Sequence, residues 1–147
     1  MKQSILLIGG AVLTLLFILF AAPVFEVLYY EREFSNEMYN QSVYLPTALI
    51  LAAVAWGVAG LFYYVINSVR FSRWYHWLVL LVAVSLLAPM ATNAYADRIF
   101  TADGYSFSHQ LGLFGVMCGF IEAVLFTVAS FAMRWWSSNC RHTPIPE

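Results

Sequence analysis

Charge is scarce in this sequence. Of 147 residues only 10% are Asp, Glu, Lys or Arg, against roughly 25% in an ordinary soluble domain. A chain this short cannot hide 62% hydrophobic and 18% aromatic residues from water, which excludes a cytosolic enzyme and a disordered regulator. Seven basic residues against eight acidic ones leave a net charge of −1, so a basic nucleic-acid binder is excluded too. Cysteine is limited to Cys118 and Cys140. With no C-x-x-C, disulfide-exchange chemistry has no support. No glycine-rich phosphate cradle is present, no nucleophile stands in a recognisable catalytic context, and no period-2 alternation suggests barrel strands. The length suits one domain.

What the sequence does have is long apolar runs. A membrane helix needs about 20 apolar residues to cross the hydrocarbon core, and four such stretches are present: 4–25, 45–66 and 77–96, free of charge, and 111–133, interrupted once by Glu122. The expected fold is an all-α membrane protein, a four-helix transmembrane domain over 1–136 arranged as an antiparallel bundle, followed by a short cytoplasmic tail over 137–147. The first run resembles a signal peptide superficially. Its apolar stretch is longer than the usual 7–15 or so residues, and Phe20 occupies a position where cleavage wants a small side chain. It is read as a retained helix.

Basic residues set the expected orientation. Lys2, Arg70, Arg73, Arg134 and Arg141 fall on one side and only Arg32 and Arg98 on the other, with Glu26, Glu31, Glu33, Glu37, Asp97 and Asp103 beside the latter pair. Both termini are therefore expected in the cytoplasm, in a plasma membrane of bacterial inner-membrane type. Trp74, Tyr75, Trp77, Trp135 and Trp136 mark the inner interface, and Tyr29, Tyr30, Tyr44, Tyr95 and Tyr105 the outer one. Pro23 is expected to end or bend the first helix, and Pro46 sits near the start of the second, where a missing N–H matters least. Pro89 lies inside the third and frees the carbonyl of Ser85. Residues 24–38 carry Leu28, Glu31 and Phe34 at one-face spacing, consistent with a helix extended past the bilayer or lying at its surface. Asp103-Gly104 reads as a turn.

Glu122 is the residue that most demands an explanation. It falls at the middle of the fourth span, where a carboxylate costs about 2.5–3.5 kcal/mol on the insertion scale, and no Lys or Arg lies within the other three spans. Three roles are open to it. It can be a neutral acid bonded to Ser85, Thr14, Tyr63 or a freed carbonyl; it can meet a polar group of another subunit; or it can line a wet path for protons or ions.

The same span carries Gly115-Val-Met-Cys-Gly119, extended by Gly112 and Ala123, and the second span offers Ala53, Gly57 and Gly60. Small residues let helix backbones approach in lipid, so these strips are candidates for packing within the bundle or for an oligomer face. In the first outer loop Glu31, Glu33 and Glu37 are interleaved with Tyr30 and Phe34, a pattern suited to protein docking. Asn40-Gln-Ser42 is a glycosylation acceptor only in a eukaryotic host. His76, Cys140 and His142 are too sparse a set to expect a metal. No catalytic residue and no cofactor are expected.

The expected partners are the lipid bilayer and either another membrane protein or copies of the chain. Function is expected to be that of a small non-catalytic subunit, or an accessory or immunity factor, of a larger membrane assembly. The alternatives are an oligomeric channel or proton-coupled conduit using Glu122 and, third, a membrane enzyme acting on lipid.

Overall fold

The computed structural model describes residues 2–66, 74–104 and 106–134. The tail at 137–147 lies outside the described residues, as do 67–73 of the second connection and the markers Arg70, Arg73, Tyr105, Trp135, Trp136, Cys140, Arg141 and His142. Among the described residues there is no strand. Six helices follow in order: α1 (Lys2–Leu19), α2 (Ala21–Leu28), α3 (Arg32–Asn40), α4 (Tyr44–Gly60), α5 (Trp74–Ala102) and α6 (Ser108–Met133). A π-helical stretch, Leu61–Ile66, continues α4.

Three of these elements are long and apolar enough to cross a membrane: Tyr44–Val65, Tyr75–Ala102 and Ser108–Met133. The first expected span differs from the single helix read at 4–25. It is a pair, Ser4–Leu19 and Ala21–Leu28, bent by 77°. Pro23 explains the break. It cannot donate to the Leu19 carbonyl, and its ring crowds that oxygen. The chain turns just ahead of it, at Phe20, whose φ of −105° and ψ of 31° leave the helical region.

Pro46, by contrast, sits in the first turn of α4 and is absorbed there. The third span reaches further than 77–96, because nothing between Ala96 and Asp103 breaks a helix. It stops where Gly104 adopts φ +82°, and the turn at Asp103-Gly104 replaces most of the long loop expected over 97–110. The loop expected between the first two spans contains the end of α2 and all of α3.

α6 is the central helix, in contact with α1, α4 and α5. At one end Gly10 of α1 meets Ala132 and Gly60 of α4 faces Met133. At the other end Phe114 stacks among Phe25 and Tyr44 at centroid separations of 5.3 and 6.5 Å. α6 therefore runs antiparallel to α1 and parallel to α4. Side-chain hydrogen bonds fix the registers. Trp56 Nε1 donates to Thr14 Oγ1 at 2.8 Å, linking α4 to α1, and Trp77 Nε1 donates to Ser130 Oγ at 2.9 Å, linking α5 to α6.

α3 closes the end opposite to Gly10. Its Phe34 is fully buried and lies 5.6–5.8 Å from the rings of Phe100, Phe107 and Phe114. Aromatic pairs at this spacing contribute about 0.5–1.5 kcal/mol each beyond burial. Phe34 is thus a plug against α5, α6 and the turn that joins them, and not part of a docking surface. The docking role expected for it is corrected: on α3 it shares a buried face with Ser35 and Met38, while Arg32, Glu33, Asn36 and Asn40 are exposed.

Large apolar side chains cover the perimeter as well as the interior, unlike in a water-soluble domain. The interior is rich in small and polar residues, with Ala48, Ala55, Ala59, Ala88, Ala129, Thr47, Thr92, Ser130 and Glu122 all essentially inaccessible. The perimeter carries Leu19 at 74% exposure, Val65 at 72% and Phe120 at 73%. Water would penalise so continuous an apolar surface; hydrocarbon does not.

Candidate functional site

The inward face of α6 repeats Gly115, Cys118, Glu122, Leu125 or Phe126, and Ala129, the spacing of residues stacked one turn apart. Glu122 is at the centre of that stripe with zero exposure, and neither carboxyl oxygen has a hydrogen-bond partner among the described residues. Of the partners expected for it, Thr14 is engaged elsewhere: its hydroxyl donates to the Gly10 carbonyl at 2.9 Å and accepts from Trp56. Ser85 Oγ is likewise without a partner, so no Ser85–Glu122 bond exists. A perimeter contact through Glu122 with another subunit is not possible in this packing, because the chain itself encloses the carboxyl.

One turn around the same helix, the glycines meet α5. A Cβ built on Gly119 would stand 2.9 Å from the Ser85 carbonyl oxygen, and one on Gly115 would stand 2.6 Å from Asn93 Nδ2. The Ser85 carbonyl is the one left without its helical donor by Pro89. Gly119 brings its own Cα–H toward that oxygen, a weak compensating contact that any side chain would prevent. The G-x-x-x-G of α6 is therefore occupied inside the chain by Ser85, Pro89 and Asn93, which are spaced four residues apart on α5.

Beside this contact lies an open groove of about 510 Å³, lined by α5 and α6. Its floor is Gly112, Gly115, Gly119 and Ala123, and its walls include Leu86, Met90, Val116 and Phe120. Gly112, unlike the other two glycines, has open space where a side chain would point. Asn93 Oδ1 and Ser85 Oγ, buried atoms of side chains that line the groove, are both without a hydrogen-bond partner among the described residues. No family model matches the chain, and no curated protein or solved structure matches it either. The groove and the enclosed carboxyl therefore stand on their own chemistry. A second groove of about 440 Å³ lies between α1 and α6 and is almost wholly apolar.

The remaining sequence candidates are scattered. Ala53 and Gly57 are exposed on the outer side of α4, and Gly57 has nothing within 4 Å of a built Cβ. Gly60 faces Met133. The structure does not join this strip to the α6 glycines. On α3, Glu33 is exposed and Glu37 half-buried, both lining a polar cleft with Asn36, Asn40, Ser106 and Phe107. Tyr30 is 60% exposed. Glu31 caps the helix differently: its N–H donates to Ser35 Oγ at 3.0 Å. Gln41 Nε2 donates to Asp103 Oδ2, tying the end of α3 to the α5–α6 turn. Among the described residues no cluster of His, Cys, Asp and Glu could hold a metal ion.

Sequence reasoning misses Asn93. The available signal is that it is the only carboxamide inside the run 77–96, four residues after Pro89 and at the level of a helix-packing glycine.

Proposed function

We propose that this chain is a four-span membrane protein, a four-helix bundle with both ends in the cytoplasm of a bacterial-type inner membrane. It serves as a non-catalytic subunit, accessory factor or immunity factor of a larger membrane assembly. In this reading α1 crosses the bilayer and α2, turned by 77°, lies along its outer surface. At about 1.5 Å per residue, the 18 residues of α1 span about 27 Å, close to the hydrocarbon thickness.

The observation that carries the reading is the lateral groove between α5 and α6. It opens on the apolar perimeter, is floored by residues without bulk, and has the polar residues Ser85 and Asn93 among its lining. Helices associate in lipid by close packing over small residues and by polar side chains, and both features are present there. Glu33, Glu37 and Tyr30 on the outer end supply a second, polar surface for contact.

The test is isolation of the tagged full-length chain in a gentle detergent, followed by identification of what accompanies it in stoichiometric amount. A stable complex supports the subunit reading. A chain found alone, in both gentle detergent and native nanodiscs, refutes it.

A conduit is the second reading, favoured by one observation: Glu122 has zero exposure and neither oxygen is bonded among the described residues. Purified chain in proteoliposomes that conducts protons or cations, and loses flux in Glu122→Gln, would replace the first reading with this one.

A further inference from the structure

Glu122 lies in a layer of buried polar side chains set between two layers of rings. Cys118 is one turn away on α6, and Thr92 of α5 is in hydrogen-bonding contact with its thiol. Thr47 comes three residues after Tyr44 on α4, and Cys118 four after Phe114. Those two rings are neighbours and the helices run parallel, so Thr47 and Cys118 stand at adjoining levels. All four polar side chains are at most 1% exposed. On one side of them Phe25, Phe34, Tyr44 and Phe114 close the outer end. On the other, Trp77 and Phe126 stand 5.7 Å apart, and Trp77 is bonded to Ser130.

Both oxygens of Glu122 and the hydroxyl of Thr47 are unmet among the described residues, a demand that hydrocarbon cannot supply. The other titratable side chains buried in the described interior are Tyr44, Tyr63, Cys118 and Arg134, and α1, α2, α3 and α5 bury none. Arg134 is twelve residues from Glu122 on the same helix, roughly 18 Å along the axis. A carboxylate enclosed so far from any cation is neutralised from solution. Glu122 lines none of the three clefts described above, so its ligand has to be one that needs no cavity. A proton meets that condition. Taken from hydronium by one carboxyl oxygen, it leaves water behind and turns an acceptor-only group into one that also donates.

From this layering we propose that Glu122, Cys118, Thr92 and Thr47 form an occluded proton site that fills from the outer end, past α3. The inference rests on the conduit reading of Glu122 and gives it a ligand and a side of entry. Charge favours that side. Glu26, Glu31, Glu33, Glu37, Asp97 and Asp103 outnumber Arg32 and Arg98 there, and a field of that sign gathers hydronium, whereas Arg134 at the other end opposes it. The closure on that side is also short. α3 has nine residues, bounded by extended backbone at Glu31 and by Ser42 at φ +54°, a conformation that L side chains rarely adopt. Phe34, Ser35 and Met38 bury one face of it, but Glu33 and Glu37 stand over a polar cleft of about 620 Å³. The Gln41–Asp103 hydrogen bond ties down its end.

Hydrogen–deuterium exchange of the Glu122 acid, read by infrared spectroscopy on the full chain in proteoliposomes, tests the site. The acid C=O band that Glu122→Gln abolishes should shift in D2O while the amide band of the spans keeps its protons, which marks a local opening and not unfolding. Bridging Gln41→Cys to Asp103→Cys with a short bis-methanethiosulfonate, in a Cys140→Ser background, should slow that shift roughly tenfold or more. Cleaving the bridge with reductant should restore the rate. Both bridged positions are exposed, so neither threatens folding. No acid band lost in Glu122→Gln, or a band that exchanges only with the amides, overturns the proton site, and a rate indifferent to the bridge overturns the route. If that indifference accompanies a flux that Glu122→Gln abolishes, the inference falls and the conduit reading stands; absence of both exchange and flux removes both.

Discussion

Gly119→Ala is the smallest change that probes how α5 and α6 hold together. The added methyl would sit 2.9 Å from the Ser85 carbonyl oxygen, and ordinary contact begins near 3.4 Å, so the helices must separate locally by about half an ångström. The obstructing atom belongs to the backbone of a long helix pinned by the Trp77–Ser130 hydrogen bond, and it cannot rotate away. Overpacking of this kind costs roughly 1–3 kcal/mol, while alanine returns up to about 1 kcal/mol over glycine within a helix. With that gain offset, the net expectation is a loss of up to about 2 kcal/mol. Gly115→Ala is the control with the shorter contact, 2.6 Å, but against the end of the Asn93 side chain, which can swing aside. It should change stability by less than about 1 kcal/mol. Gly9→Ala and Gly57→Ala, with nothing within 4 Å, should be neutral or stabilising by up to about 1 kcal/mol. The assay is equilibrium unfolding in mixed micelles, read by labelling of the buried Cys118 thiol in a Cys140→Ser background. Gly119→Ala at or above the midpoint of Gly57→Ala would refute the close-approach reasoning.

Other perturbations separate packing from surface. Phe34→Ala should cost about 3–5 kcal/mol in the same assay, because the ring fills the gap between Phe100, Phe107 and Phe114; Tyr30→Ala nearby should stay within about 0.5 kcal/mol. Glu122→Gln and Glu122→Leu should both leave the unfolding midpoint unchanged or raised, since no bond to the carboxyl is lost, whereas a drop of more than about 1 kcal/mol in either would mean that the carboxyl is a structural tie. Trp77→Phe removes one buried interhelical bond and should cost about 0.6–1.7 kcal/mol, measured as a shift of the same transition.

The helical class and the apolar spans were legible because burial in lipid demands uninterrupted runs and tolerates few charges. Turn chemistry was legible as well: Asp103-Gly104 and the disturbance at Pro23 follow from local sterics. The size of the bend was not, since one proline specifies where a helix must yield and not how far neighbours let it turn. Nor was the fate of Phe34. Its spacing placed it on an amphipathic face, but only the arrival of α5 and α6 at the same end decides that this face points inward. For the candidate site, Glu122 stood out as the one charge in an apolar run, and the glycines of α6 through their four-residue spacing. Which side of α6 faces its neighbours is a tertiary fact. It divides the strip into Gly115 and Gly119, covered by α5, and Gly112, left open.

The central claim is that hydrocarbon surrounds the perimeter of this chain, and spin-label accessibility in proteoliposomes measures that directly. Labels at Val124→Cys and Leu87→Cys, both exposed on the perimeter, should collide readily with oxygen and scarcely with a water-soluble nickel complex, while a label at Glu33→Cys on α3 should show the reverse. Equal access of the nickel complex to Val124 and Glu33 would contradict the claim.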